Sequence, residues 1–249
     1  MSDQRPSNDA PLTIDVQERA GHHTGNPQVL NSRLFMQLMV FDCDRTLAPK
    51  RAVQLLRSKL RAARCPVVIY ADVGNPRGLG VLTYAEDPAR FVDCLRAAFE
   101  DEELAGLTQR PEMTMMGRTY ATGYEPDLPF WLLERPAQTV QKREWPWAVW
   151  YPLRRSGAFA RLEPREQGAI LREHATIGRA YGEQDLAHDV RLACHGIDAA
   201  DNEFVVGLVG KELHPLSHVV QSMRKTRQTS EFITQMGPFF VGRVLVQDA

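Results

Sequence analysis

The chain has 249 residues, 43% hydrophobic and 24% charged, with a formal net charge of −1. These are the proportions of a globular protein with ample core material, and the mixed, near-neutral charge excludes the basic footprint of a nucleic-acid binder. No run of 18 apolar residues exists, so no membrane insertion is expected, and the first thirty residues lack the apolar segment of a secretory signal.

Residues 1–30 are polar, carry Pro, Gly, Asn and a His22-His23 pair, and show no apolar periodicity. They read as a flexible tail, with the histidine pair a candidate metal-binding feature. From residue 31 the pattern sharpens. Leu34 to Phe41 suits a buried strand, and Ala48 to Ala63 a helix with Val53, Leu56 and Leu60 at helical spacing. Pro66 to Val73 and Leu79 to Tyr84 are strands about a Gly74 to Gly78 turn. Pro88 opens a helix striped by Phe91, Leu95 and Phe99, and Glu112 to Ala121 is a closing strand. The order over 31–121 is βαββαβ.

Residues 122–146 hold Pro126, Pro129, Pro136 and Pro146, and read as a connector or lid. Phe130, Trp131, Leu132 and Leu133 imply that it packs across something, with a helical turn. The second half, 147–249, repeats the first. Trp147 to Arg155 is a strand, Pro164 to Tyr181 a helix, Asp189 to His195 and Phe204 to Val209 strands, Pro215 to Thr226 a helix and Pro238 to Val246 a strand. Met116-Gly117-Arg118 in one closing strand is answered by Val241-Gly242-Arg243 in the other. The fold class is therefore α+β, two ferredoxin-like βαββαβ domains forming a barrel within one chain. The four cysteines, Cys43, Cys65, Cys94 and Cys194, lack CxxC spacing and read as reduced, mostly buried thiols of a cytoplasmic protein.

The chemistry concentrates in the second half. Ile170, His174, Ile177 and Tyr181 share one helical stripe, and Gly178 lies one turn beyond His174. On its own pattern His174 is either a hydrogen-bonded core histidine or a ligand. In the strand, Trp147, Val149, Tyr151, Leu153 and Arg155 share a face, which puts Tyr151 and Arg155 about 13 Å apart, comparable with the width of a tetrapyrrole. The alternative is an aromatic core strand ending in solvated arginines. Asp189, Arg191, Ala193 and His195 make a second polar face, facing either solvent or a cavity, where Arg191 would be available to an anion.

The stretches Trp147-Ala148-Val149-Trp150-Tyr151-Pro152-Leu153-Arg154-Arg155 and Arg172-Glu173-His174-Ala175-Thr176-Ile177-Gly178-Arg179-Ala180-Tyr181 resemble the chlorite dismutase and coproheme decarboxylase family. Asp201-Asn202-Glu203-Phe204-Val205-Val206, Met223-Arg224 and Gly237-Pro238-Phe239-Phe240-Val241-Gly242-Arg243 resemble its later blocks in order. The resemblance implies a haem-binding paired barrel, often a pentamer, whose C-terminal half binds haem b or iron coproporphyrin III. It makes His174 the proximal iron ligand, with Trp150, Ile177, Gly178 and Arg118 as further cofactor contacts. It implies an oxidant-forming role for Tyr151, 23 residues before His174, and a propionate-holding role for Arg155.

The chain departs from the family pattern at several positions. Ala175 follows the histidine where glycine is usual, and Asp127 stands where the actinobacterial type has a distal histidine. Asp189 or Arg191 takes the place of the distal arginine, and Ser230-Glu231 that of the acid behind the proximal histidine. The implied activity is peroxide-dependent decarboxylation of coproheme to haem b. The alternatives are a haem b enzyme acting on chlorite or peroxide, with Arg191 stabilising an oxyanion, and a non-enzymatic haem sensor or carrier.

Overall fold

The computed structural model describes residues 13–23 and 25–249. Strands β1 (Glu18–His23) and β2 (Asn26–Leu30) form a separate antiparallel hairpin. Residues 18–23 and 26–30 thus form strands where the sequence predicts a tail. No apolar period marks them because polar side chains hold them. Glu18 ion-pairs with Arg118 at 3.0 Å and Arg33 at 3.4 Å. Gln28 donates to the Gly21 and Glu125 carbonyls and accepts from the Leu128 N–H. Residues 1–12 and the side chains of His22 and His23 lie outside the described part.

The first βαββαβ run comprises β3 (Phe35–Cys43), α1 (Pro49–Ala62), β4 (Val67–Asp72), β5 (Gly78–Ala85), α2 (Arg90–Phe99), a short β6 (Leu107–Gln109) and β7 (Met115–Arg118). The connector contains a π-helical turn, Phe130–Glu134, continuing into α3 (Arg135–Gln141). The second run comprises β8 (Trp147–Arg155), α4 (Gly157–Ala160), α5 (Pro164–Glu183), β9 (His188–Ala193), β10 (Phe204–Gly210) and α6 (Leu213–Met223). A second π turn, Gln228–Phe232, then leads to β11 (Ile233–Met236) and β12 (Phe240–Asp248).

Strand order is β7-β3-β5-β4 in the first run and β12-β8-β10-β9 in the second, the same permutation twice. The runs join where β4 pairs β12 and where Arg118 of β7 meets Ala193 of β9. The sheet is thereby closed into a barrel of mixed α+β, ferredoxin-like architecture. Alternation along each strand sends one set of side chains inward. Met36, Leu38, Tyr70, Leu82, Trp150, Leu192 and Phe240 fill the interior. Trp150 fits only because Gly207 faces it; a Cβ there would stand 2.5 Å from the indole. The opposite faces are covered by α1 and α2 in the first half and by α5 and α6 in the second. All four cysteines are free and buried.

Candidate functional site

The outer face of the second half holds a cavity between the sheet of β8, β9 and β10 and the helices α5 and α6. Strand alternation decides what reaches it. On β8 the residues Tyr151, Leu153 and Arg155 line it, and on β9 Asp189 and Arg191 do. Phe204, Val206 and Leu208 of β10 complete the floor. α5 contributes His174, Gly178 and Tyr181, and α6 contributes Val219, Val220 and Met223. The walls are therefore largely apolar, with one imidazole, three phenols (Tyr120, Tyr151 and Tyr181) and a small set of charges.

His174 is the histidine that reaches this cavity among the described residues. Its Nδ1 is buried and has no hydrogen-bond partner. Burial, and then the charge of Arg191, hold its pKa below the ordinary imidazole value, against the smaller pull of Asp189 and Glu173. The ring is thus kept neutral, the form that donates a lone pair to a metal. His188 is engaged elsewhere, stacked on Trp145 at 3.7 Å and bonded to Asp185 at 2.8 Å. His195 approaches Glu203 at 3.6 Å.

Tyr151 is 6% exposed and stacks on Phe239 with ring centres 4.6 Å apart. Burial pushes its phenol pKa well up, so it stays protonated and can give up hydrogen rather than only charge. Arg155 is already paired. Its Nη2 meets Glu203 Oε1 at 2.6 Å, its backbone N–H also donates to that carboxylate, and its guanidinium lies between the Phe159 and Phe204 rings. Arg191 differs. It ion-pairs with Asp189 at 2.9 Å, but Asp189 is shared with Arg135 of the connector, also at 2.9 Å. Two guanidinium groups thus share the Asp189 carboxylate, and Glu125 also acts on Arg191 from the connector side. Burial works to raise the Asp189 pKa, but Arg191 and Arg135 outweigh it and hold the carboxyl below its ordinary value.

Among the residues predicted as site members, His174, Gly178, Tyr151, Arg155 and Arg191 come together in this one cavity. Three predicted contacts do not line it. Trp150 alternates away from Tyr151 and is 1% exposed inside the barrel. Ile177 does not line the cavity, and Arg118 is tied to Glu18 and to the Thr119 carbonyl. Gly178 has no tight neighbour: a Cβ there would meet Met223 Cε at 3.5 Å, an ordinary contact. Asp127 caps the connector turn by accepting from the Phe130 N–H at 3.0 Å, and Glu231 pairs with Arg227 at 2.8 Å.

Sequence reading misses Tyr120, Gln228 and Arg135. Tyr120 lies two residues beyond Arg118 and lines the cavity, packed on Phe204 at 5.5 Å. Gln228, on the second π turn, lines it too, and its Oε1 is buried and unpartnered like His174 Nδ1. Arg135 gives no local signal, because its role depends on where the connector docks. Its guanidinium sits 4.7 Å over the Trp131 ring and its Nη1 donates to the Asp189 carbonyl.

A porphyrin of iron fits this donor set. One neutral imidazole with an unsatisfied second nitrogen, apolar walls and guanidinium groups among the lining match an apolar macrocycle that takes an imidazole on its metal and carries anionic edges. No cluster of three or more His, Cys, Asp or Glu able to hold a bare metal ion occurs among the described residues, and none of the described helices is long and apolar enough to cross a membrane.

Known structures share the architecture. A heme-binding protein from Thermus thermophilus superposes with a TM-score of 0.70 at 18% identity, covering 86% of this chain and 92% of that one. A mutant chlorite dismutase from Candidatus Nitrospira defluvii gives 0.66 at 15% identity, with 86% and 92% covered. Another mutant of that enzyme, in complex with cyanide, gives 0.67 at 16%, with 86% and 91% covered. At these identities the likeness is one of fold, and no curated protein matches in sequence. The model of the chlorite dismutase family, however, matches residues 50–245, and the chain belongs to that family.

Proposed function

We propose that the cavity binds an iron porphyrin through His174 and that the reaction is peroxide-dependent decarboxylation of iron coproporphyrin III to haem b. Tyr151 carries this reading. A protonated, buried phenol stands on the cavity floor, on the same strand face as Arg155. The balanced change at each propionate is –CH2CH2COO⁻ + H2O2 + H⁺ → –CH=CH2 + CO2 + 2 H2O. The bound iron porphyrin would supply both the peroxide chemistry and the carboxylate substrate.

The residues' parts follow from their surroundings. His174 would hold the iron as a neutral imidazole. Its Nδ1 and Gln228 Oε1 are both buried and unpartnered in the lining of this cavity, and a bond between them on loading would orient the ligating ring. Tyr151 would give a hydrogen atom, electron and proton together, because burial disfavours a bare phenolate. Apolar side chains of β10 and α6 would exclude water from the reacting edge. Arg155 would meet a carboxylate only by sharing its guanidinium with Glu203, whereas Arg191 and Arg135 share the one carboxylate of Asp189.

The Arg191 guanidinium at the cavity wall supports a second reading, in which haem stays bound and Arg191 holds a small oxyanion such as chlorite. Charge-assisted hydrogen bonds of this kind contribute about 1.5–3 kcal/mol each. One experiment separates the two. Wild type and Tyr151→Phe are loaded with iron coproporphyrin, given stoichiometric peroxide, and the porphyrin is weighed by mass spectrometry. The expected result is carbon dioxide loss in wild type alone. Intact coproporphyrin in wild type, with rapid oxygen release from chlorite that Arg191→Ala slows, would establish the second reading instead.

A further inference from the structure

Two imidazoles on α6 take no part in the cavity. His214 and His218 are four residues apart on the helix, so they stand one turn apart on one face. Both are exposed, and their rings lie 5.9 Å apart, centre to centre, at 76°. Two imidazoles sharing a metal through bonds of about 2.1 Å bring their ring centres to roughly 5 Å. Small side-chain rotations close that gap.

His218 is already oriented for such a role. Its Nδ1 meets the Tyr181 hydroxyl at 2.5 Å, and that hydroxyl lies 3.0 Å from Ser222 Oγ. With the proton on Nδ1, His218 donates to Tyr181 and Tyr181 donates on to Ser222. Nε2 is then left as a free lone pair facing outward. A metal-ligating histidine usually has its other nitrogen fixed in this way, and the partner sets ring direction and basicity. The chain of three side chains also ties α5 to α6, which holds the His218 ring in a fixed direction.

We propose that His214 and His218 form a two-imidazole site for a divalent transition metal, the class of Cu²⁺, Ni²⁺ and Zn²⁺, with water completing the coordination. Imidazole donors without carboxylate oxygens select that class over Mg²⁺ or Ca²⁺, and copper binds tightest within it. Two protein ligands make the site exchangeable rather than structural. Tyr181 also lines the cavity, so an occupied pair fixes one side chain of the cavity wall from outside. The site does not depend on the porphyrin reading.

The test is titration of the whole porphyrin-free chain with copper(II) or nickel(II) alone, followed by calorimetry and, for copper, electron paramagnetic resonance. His214→Ala and His218→Ala are each expected to lower affinity at least tenfold and to remove the two-nitrogen signature. Tyr181→Phe is expected to lower affinity several-fold, because the orienting contact is lost while both ligands remain. His174→Ala leaves this binding unchanged. Thermal melts verify that each exposed substitution folds. Unchanged affinity in either single histidine variant overturns the proposal, as does binding that disappears only with His22→Ala/His23→Ala. A failure here leaves porphyrin uptake by His174 untouched, and the reverse holds too.

Discussion

The two halves run the same βαββαβ order, yet their helices treat the sheet differently. In its 14 residues α1 buries Ala52, Leu55, Leu56 and Leu60; in its 20 residues α5 buries only Ile170. Beneath α1 and α2 the sheet presents Phe41, Cys43, Val67, Ile69, Leu79 and Val81, and the layers seal. Beneath α5 and α6 it presents Tyr151, Arg155, Asp189 and Arg191 among apolar neighbours, and a cavity remains. Burying charges flat under a helix is costly unless each is paired. Polar side chains at alternate positions of β8 and β9 thus accompany an open cavity where the first half has a sealed layer, with no change of topology.

The sharpest way to break this comparison is to remove the one imidazole that the open half points into its cavity. His174→Ala should abolish uptake of iron porphyrin, read as loss of the Soret band on titration, while the circular dichroism spectrum is retained. The substitution is tolerated by the fold because His174 lies over open space rather than in a sealed layer. An unchanged Soret band and affinity would show that the cavity is not where the porphyrin is held.

The same contrast predicts stability. Leu56→Ala on α1 removes a side chain with no exposed surface and should cost about 2–5 kcal/mol in denaturant unfolding. Leu171→Ala on α5, 42% exposed at the cavity rim, should change stability by about 0.5 kcal/mol or less. Equal costs would mean that α5 is packed as tightly as α1, and that the cavity closes in solution.

Much of this difference is legible in the sequence. The predicted strand at Trp147 to Arg155 coincides with β8, because a run of apolar and aromatic residues there is bounded by Pro146 and by Arg154-Arg155-Ser156. His174, Tyr151, Arg155, Gly178 and Arg191 converge because strand and helix periods alone assign their faces. What is not legible depends on non-local docking. Nothing local to Arg135 announces that the connector brings it onto Asp189, and the hairpin at residues 18–30 is held by Glu18 and Gln28 rather than by an apolar stripe. Trp150 and Tyr151 are adjacent in a matching block, yet the pleat sends one into the barrel and the other into the cavity. The second π turn shifts cavity lining to Gln228 and Thr229, away from Ser230 and Glu231.

A smaller effect sharpens the electrostatic side of the comparison. His174 sits below its ordinary value of 6.5, first from burial and then from Arg191. The folded chain therefore refuses a proton that the unfolded chain accepts below that value. The stability tied to this group is fully present above pH 6.5 and is lost as pH falls toward the folded value. Porphyrin binding, which needs the neutral ring, should likewise persist below pH 6.5 in wild type. Arg191→Ala removes the opposing charge and leaves Asp189 to favour protonation, so the acid limb of a Soret-monitored binding curve should move to higher pH. An unmoved or lower limb would separate Arg191 electrostatically from the imidazole.

The smallest expected effect concerns Arg155, whose carboxylate partner is shared with no second arginine among the ion pairs of the described residues. Glu203 accepts from its Nε, its Nη2 and its backbone N–H, and these contacts hold the Glu203 carboxyl below its ordinary value despite burial that works to raise it. Glu203→Gln keeps the volume and an accepting oxygen but removes the charge, so the guanidinium loses its counter-charge. If Arg155 addresses an anionic edge, iron coproporphyrin with its four carboxylates should bind a fewfold more tightly, about 1 kcal/mol at most for a partly exposed contact. Iron protoporphyrin, with two carboxylates, should gain less, and raised salt should shrink both gains. Competitive Soret titration of the two porphyrins at two ionic strengths measures this directly. Equal or weaker binding of coproporphyrin in the variant would instead make the Arg155–Glu203 pair a structural tie between the end of β8 and the segment entering β10, and would leave the carboxylates to Arg191 and Arg135.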